Sequence, residues 1–93
     1  MIGKFAFSRA GHDKDNVYIV VAQEGSFVWL CDGRLKTLER PKKKNIKHIQ
    51  IINRTVDEEL LVRLINKETI FDEQIKYAIK QYANHGLSEP ETC

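Results

Sequence analysis

The stretch RLKTLERPKKKNIKH, residues 34–48, gathers seven cationic side chains around one acid, Glu39. Cations at that density suit one kind of chemistry. They neutralise the charged groups of a polyanion and release its counterions. Lys42, Lys43, Lys44 and Lys47 are the first candidates for phosphate contact, and Pro41 stiffens the entry to them. Arg34, Lys36 and Arg40 flank the run. On an extended segment Arg34 and Lys36 would project from one face. Arginine can grip a phosphate through two N–H groups or stack on a base. His48 reads as a surface histidine beside the same run. The opposing reading is a solvated loop, with rim charges paired to Glu39 or Asp32. The placement of charge favours the first. Residues 1–54 carry eleven basic and five acidic side chains, net +6, whereas residues 55–93 carry four and eight, net −4. Such separation on a small chain is an electrostatic footprint for a polyanion.

Other chemistries find less support. Cys31 could be paired with His12 or His48 as thiol and imidazole, but it lies in an apolar run, VWLC, and reads as a small core residue. Cys93 follows a polar tail and reads as a free thiol. A disulfide between them would tie a chain end to a strand interior, against a reducing cytosol. The histidines His12, His48 and His85 have no zinc-ligand spacing to the cysteines, so neither metal nor cofactor is expected. There is no HExxH, no GxSxG and no Gly-rich phosphate loop, and the chain is not read as an enzyme. Phe27 and Trp29 alternate on one predicted strand. On an open face they would stack on unpaired bases. In a domain this small such rings more often fill the core, the reading favoured for Trp29. Tyr18 has the same ambiguity, with a hydroxyl that needs a partner if buried.

These side chains need a scaffold. Ninety-three residues allow one domain with a modest core. No apolar run approaches the ~18 residues of a membrane span. The opening MIGKFAFSRAGHD lacks the apolar segment of a signal peptide, so the cytoplasm is the expected location. The first half reads as about five short strands. GKFAFSR alternates, VYIVVAQ is β-branched and looks buried on both faces, and FVWLCD is a third strand. RLKTLE is a short fourth with Leu35 pointing inward. NIKHIQII is the last, set by Ile46 and Ile49 or by Ile49 and Ile51. AGHDKDN, EGS and Asp32-Gly33 are turns.

The second half changes period. Thr55 and Glu58 form a capping-box pattern, followed by an apolar stripe of Leu60, Leu61, Leu64 and Ile65. Asn66 is a left-handed stop. A second helix is expected from about residue 72 to 83, with Asp72 and Glu73 at its start and Ile75, Ala78, Ile79 and Tyr82 on one face. Asn84-His85-Gly86 ends it, and His85 suits the negative end of the helix. The outcome is a mainly β chain with C-terminal helices: a barrel unit over residues 1–54, a helical segment over 55–86 packed on it through Leu60, Leu64, Ile75 and Ile79, and a flexible tail over 87–93.

FSRAGHDKDNVYIVV, followed by a second strand and DGR, resembles a KOW motif. The wider pattern of AGHDK, a strand pair, CDGRLKTLERPKKKNIKHIQ and a terminal helix resembles bacterial KOW-domain RNA-binding proteins, relatives of an archaeal and eukaryotic large-subunit ribosomal protein. The likeness covers nearly the whole chain and is most specific over residues 32–50. It implies a small SH3-like β-barrel that binds RNA, most naturally ribosomal RNA of the large subunit. It adds Arg9, His12 and Lys14 of the first loop to the candidate contacts. One position departs from the family: Asp15 stands where a glycine usually follows the Asp-Lys pair. A carboxylate there repels phosphate, and weight shifts to Lys42, Lys43 and Lys44. Asp13 is read as ordering the loop, and Gly11 and Gly33 as turn positions. The expected protein is a monomeric RNA-binding protein of the translation apparatus. The alternative is a protein–protein interaction module of the translation or transcription machinery, working through its acidic helices at Glu59, Glu68 and Glu73.

Overall fold

The computed structural model describes the backbone of residues 1–8 and 16–92, and the side chains of residues 1–7 and 16–83. Five strands come first: β1 (Lys4–Ser8), β2 (Val17–Glu24), β3 (Phe27–Cys31), β4 (Lys42–Asn45) and β5 (Ile49–Thr55). A 3-10 turn, Ile46–His48, joins the last two. Helices α1 (Glu58–Ile65) and α2 (Asp72–Thr92) follow. The strands form one antiparallel sheet in the order β4-β3-β2-β1-β5. A mainly β domain with C-terminal helices is therefore what the sequence folds into. The sheet is not closed into a barrel; β4 and β5 are its two edges.

The connectivity nevertheless demands curvature. Four strand-to-strand steps would separate the edges of a flat sheet by about 19 Å. The chain from Asn45 to Ile49 spans at most about 14 Å. The sheet must curl until its edges approach that closely. A bulge helps: Val20 pairs with Leu30 and Ala22 with Trp29, so Val21 is an extra residue that bends β2.

Alternation along the strands supplies two cores. On the concave face Ala6, Tyr18, Val20, Val28, Leu30 and Ile49 are buried together, with Ile46 and Ile51 against them. On the convex face Phe5, Ile19 and Cys31 are buried under Leu60 and Leu64 of α1 and Ile75 and Ala78 of α2. The central strand β2 is thus buried on both faces, as its β-branched sequence predicts. The helices lie over the convex face. The ring of Tyr82 stacks on Phe5 with centroids 4.6 Å apart. No buried side-chain nitrogen or oxygen among the described residues lacks a hydrogen-bond partner.

Several local expectations are corrected. Thr55 is the last residue of β5 and no cap; α1 starts later, with Asp57 at its N-cap position and no side-chain cap bond. Pairing of β5 with Lys4 outcompetes the capping box for Thr55. The left-handed residue after α1 is Lys67 (φ 58°), while Asn66 has φ −84°. Helix α2 runs past Asn84-His85-Gly86 to Thr92. A glycine inside a helix costs only about 1 kcal/mol, which continued backbone hydrogen bonding can offset.

The segment RLKTLE is not a strand. The Asp32 carboxylate accepts the N–H groups of Arg34 and Lys36 at 2.8 and 2.9 Å, which folds the chain into a tight turn. Leu35, expected to point inward, is 82% exposed at its tip. Leu38 packs against the core instead. Helix α2 begins on top of this turn. The Asp72 carboxylate accepts the N–H of Leu38 at 2.8 Å. Gly33 (φ 79°) lies so close beneath that an added Cβ would meet the Asp72 carbonyl oxygen at 2.6 Å. Gly25, in the β2–β3 hairpin, has φ 59° with no neighbour in reach of a Cβ. Gly25→Ala should therefore cost only the left-handed term, about 1–2 kcal/mol. Gly33→Ala should cost about 1–3 kcal/mol more for the clash. Denaturant unfolding of the two variants measures the difference, and equal losses would rule out the seating of α2 on this turn.

Candidate functional site

The lysine run is an edge strand, not a loop. Lys42 pairs with Leu30, Lys43 with Trp29, Lys44 with Val28 and Asn45 with Phe27. Lysine has little intrinsic strand preference, but the ladder to the apolar strand β3 overrides it. Pairing also divides the run. Lys42 and Lys44 share the side of Leu30 and Val28, while Lys43 lies on the opposite side with Trp29 and Phe27. The Lys42 Nζ stands 5.7 Å from the ring centre of Tyr18. The Lys43 Nζ stands 4.6 Å from that of Phe27 and 5.6 Å from that of Trp29. The long side chains thus lie over apolar rings, with their ammonium groups at cation–π distance.

The 3-10 turn continues the basic strip. The Asn45 carboxamide oxygen accepts the Lys47 N–H at 3.1 Å, and the Ile46 N–H donates to the Ser26 carbonyl at 2.8 Å. These bonds fix the turn against the β2–β3 hairpin and leave Lys47 and His48 exposed. Lys42, Lys43, Lys44, Lys47 and His48 therefore form one rigid basic edge. Lysines on an edge strand also deter pairing with another sheet, which is the plainest structural reason for them. Such a role does not call for further cations on the turn beyond the strand.

Arg34 belongs to a different place. It borders a groove of about 470 Å³ with Asp32 and with Lys76, Ile79, Lys80 and Ala83 of α2. Lys76 and Lys80 are cations that the sequence reading passed over, because the helical half is acidic in sum. Their signal was the spacing 76, 79, 80 and 83, which puts them on one helix face. Lys36 and Arg40 stand on the turn between the two groups. The carbonyl of Lys36 accepts the Asp32 and Gly33 N–H groups, and the Arg40 N–H donates to the Thr37 carbonyl at 3.1 Å. The expected shared face of Arg34 and Lys36 is lost, because the chain there is bent rather than extended. Arg9, His12 and Lys14 lie outside the described residues.

Trp29 is partly exposed and Phe27 is 41% exposed, so the β3 aromatics are not core. Cys31, the next residue on that side, is buried, and its thiol lies 3.3 Å from the Thr37 carbonyl. Among the described residues no three His, Cys, Asp or Glu side chains gather as a metal site would require. No described helix is long and apolar enough to cross a membrane. Compared with models of protein families and with curated proteins, the chain matches none.

Burial pushes the Cys31 thiol up from 9.0 to about 12, and the carboxylates of Asp72 and then Asp32 add to the rise. The thiolate is the nucleophilic form, so Cys31 is inert near neutrality. The folded state holds this proton where the unfolded chain has released it. Its contribution to stability is thus intact below about pH 9 and declines as pH rises toward 12. In a Cys93→Ser background, iodoacetamide at pH 8 should leave Cys31 unmodified until denaturant is added. Mass spectrometry reads the adduct directly, and rapid alkylation of the native protein would contradict the burial.

Proposed function

We propose that this is a non-catalytic, KOW-type RNA-binding protein of the cytoplasm, associated with ribosomal RNA of the large subunit. The observation that carries the reading is the rigid basic edge: Lys42, Lys43 and Lys44 on β4, continued by Lys47 and His48 on the turn. A fixed row of cations recognises a folded phosphate backbone with little sequence readout. The charge asymmetry of the chain and the resemblance over residues 32–50 support the same reading. The strand ladder sets the lysine backbone positions before RNA arrives, so the ordering cost on binding is confined to the side chains. Arg34, Lys76 and Lys80 offer a second set of cations to the same polyanion.

One observation favours a second reading, a protein-interaction module. A cleft of about 320 Å³ between the helices is bordered by Asp57, Glu59, Glu73 and Tyr77. Phe71 and Tyr77, each 63% exposed, flank the acidic helices with apolar surface. Under that reading Glu59, Glu68 and Glu73 are the residues whose loss weakens binding.

Replacing Lys42, Lys43 and Lys44 with Ala should weaken RNA binding and flatten its salt dependence. If each lysine meets one phosphate of single-stranded RNA, the slope of log K against log salt should fall by about 0.7 per lysine. Affinity and slope that both stay at wild-type values would remove β4 from the interface. In a lysate, sedimentation with the large subunit at low salt and release at raised salt is the expected cellular behaviour.

A further inference from the structure

The convex face of the sheet is covered over only part of its area. The row Ile19 and Cys31 lies under the helices. Beyond the bulge in β2, two further cross-strand rows lie on the same side of β3. One is Ala22, Trp29 and Lys43; the other is Glu24, Phe27 and Asn45. Neither ring of these rows is buried. Beside Trp29 the small side chain of Ala22 leaves a groove of about 550 Å³, walled by Val21, Leu38 and Pro41 and bordered by Gln23, Glu24 and Lys67.

Two features of this face point to one chemistry of ligand. Adjacent rings on an open sheet surface offer planar apolar area to another planar ring system. Cations stand at both borders, Lys43 on β4 and Lys67 beyond the groove, against one acid, Glu24, opposite Phe27. A group that is flat on one side and anionic on the other satisfies both, and an unpaired nucleotide is such a group. Edge protection alone accounts for the lysines but not for an exposed Phe27 ring and a half-buried Trp29 ring beside this groove.

We propose that Trp29 and Phe27 form a stacking platform for unpaired RNA bases, with Lys43 as the phosphate partner of the stacked nucleotide. This rests on the RNA-binding reading above and adds a preference for unpaired over duplex RNA. In the free protein the Lys43 ammonium covers the rings, 4.6 Å from the centre of Phe27 and 5.6 Å from that of Trp29. An arriving base takes the ring faces and displaces the ammonium. The flexible stem then carries the charge to the adjoining phosphate. The exchange replaces a cation–π contact with a stacked base and an ion pair, and breaks no backbone bond of β4.

The chain has a single tryptophan, so Trp29 emission reports the platform directly. The probe is an end-labelled twelve-nucleotide oligoadenylate, alone and annealed to oligouridylate. Label anisotropy measures binding, and tryptophan emission measures stacking. Single strand should bind and quench Trp29, whereas duplex should bind with little quenching. Trp29→Leu and Phe27→Ala should each weaken single-strand binding by about 5- to 150-fold, the equivalent of one stacked base. Unchanged duplex affinity of the same variants shows that they fold. Binding of both forms without quenching, or equal losses on both, overturns the platform and leaves phosphate recognition standing. Absence of binding to either form overturns both readings.

Discussion

The short step from Asn45 to Ile49 governs this architecture. It joins the two edges of a five-stranded sheet through a single 3-10 turn, and that turn cannot span a flat sheet. Curling gives the sheet a concave inside, filled by Tyr18, Val20, Val28 and Leu30. It also leaves a convex outside that must be covered, and the helices supply Leu60, Leu64 and Ile75 for that purpose. Fully burying each such side chain is worth roughly 1.5–3 kcal/mol. Both cores depend on β2, whose alternate residues serve one and then the other.

The same curl makes the basic run a surface of defined shape. As a loop, the lysines would be a diffuse charge. Laddered to β3, they become a strand with a fixed pitch, split between two sides, and anchored at its end by the bond from Ile46 to Ser26. The aromatic residues share this frame. Cys31 falls under the helices while Trp29 and Phe27, two and four positions earlier on the same side, fall beyond them. A single alternating strand thus contributes to a core at one end and to an open surface at the other.

The turn at residues 32–38 links the two halves of the molecule. Asp32 ties it internally, Asp72 ties it to α2, and Gly33 lets the helix approach. Arg34 leaves this turn beside α2 and so joins Lys76 and Lys80 rather than the lysines of β4. Two basic groups, one on the sheet edge and one on the helix, come from a sequence that shows a single basic run. The cations of α2 are hidden in the sequence because net charge sums over a helix whose faces differ.

What the sequence determined by itself was periodicity and composition. The alternation of β1, β2 and β3, the buried character of β2, the helical stripe of Leu60 and Leu64, and the core placement of Cys31 all follow from local pattern. Local pattern works there because burial of one face per strand or helix is a short-range property of the chain. Tertiary structure alone decided the rest. It made a strand of Lys42–Asn45, a turn of the segment around Leu35, and a strand end of Thr55. In each case a long-range partner outweighed local preference: β3 for the lysines, α2 through Asp72 for the turn that Asp32 ties locally, β1 for Thr55. The exposure of Trp29 and Phe27 was settled in the same way. It depends on how far two helices reach across a curved sheet, a distance that no residue spacing encodes.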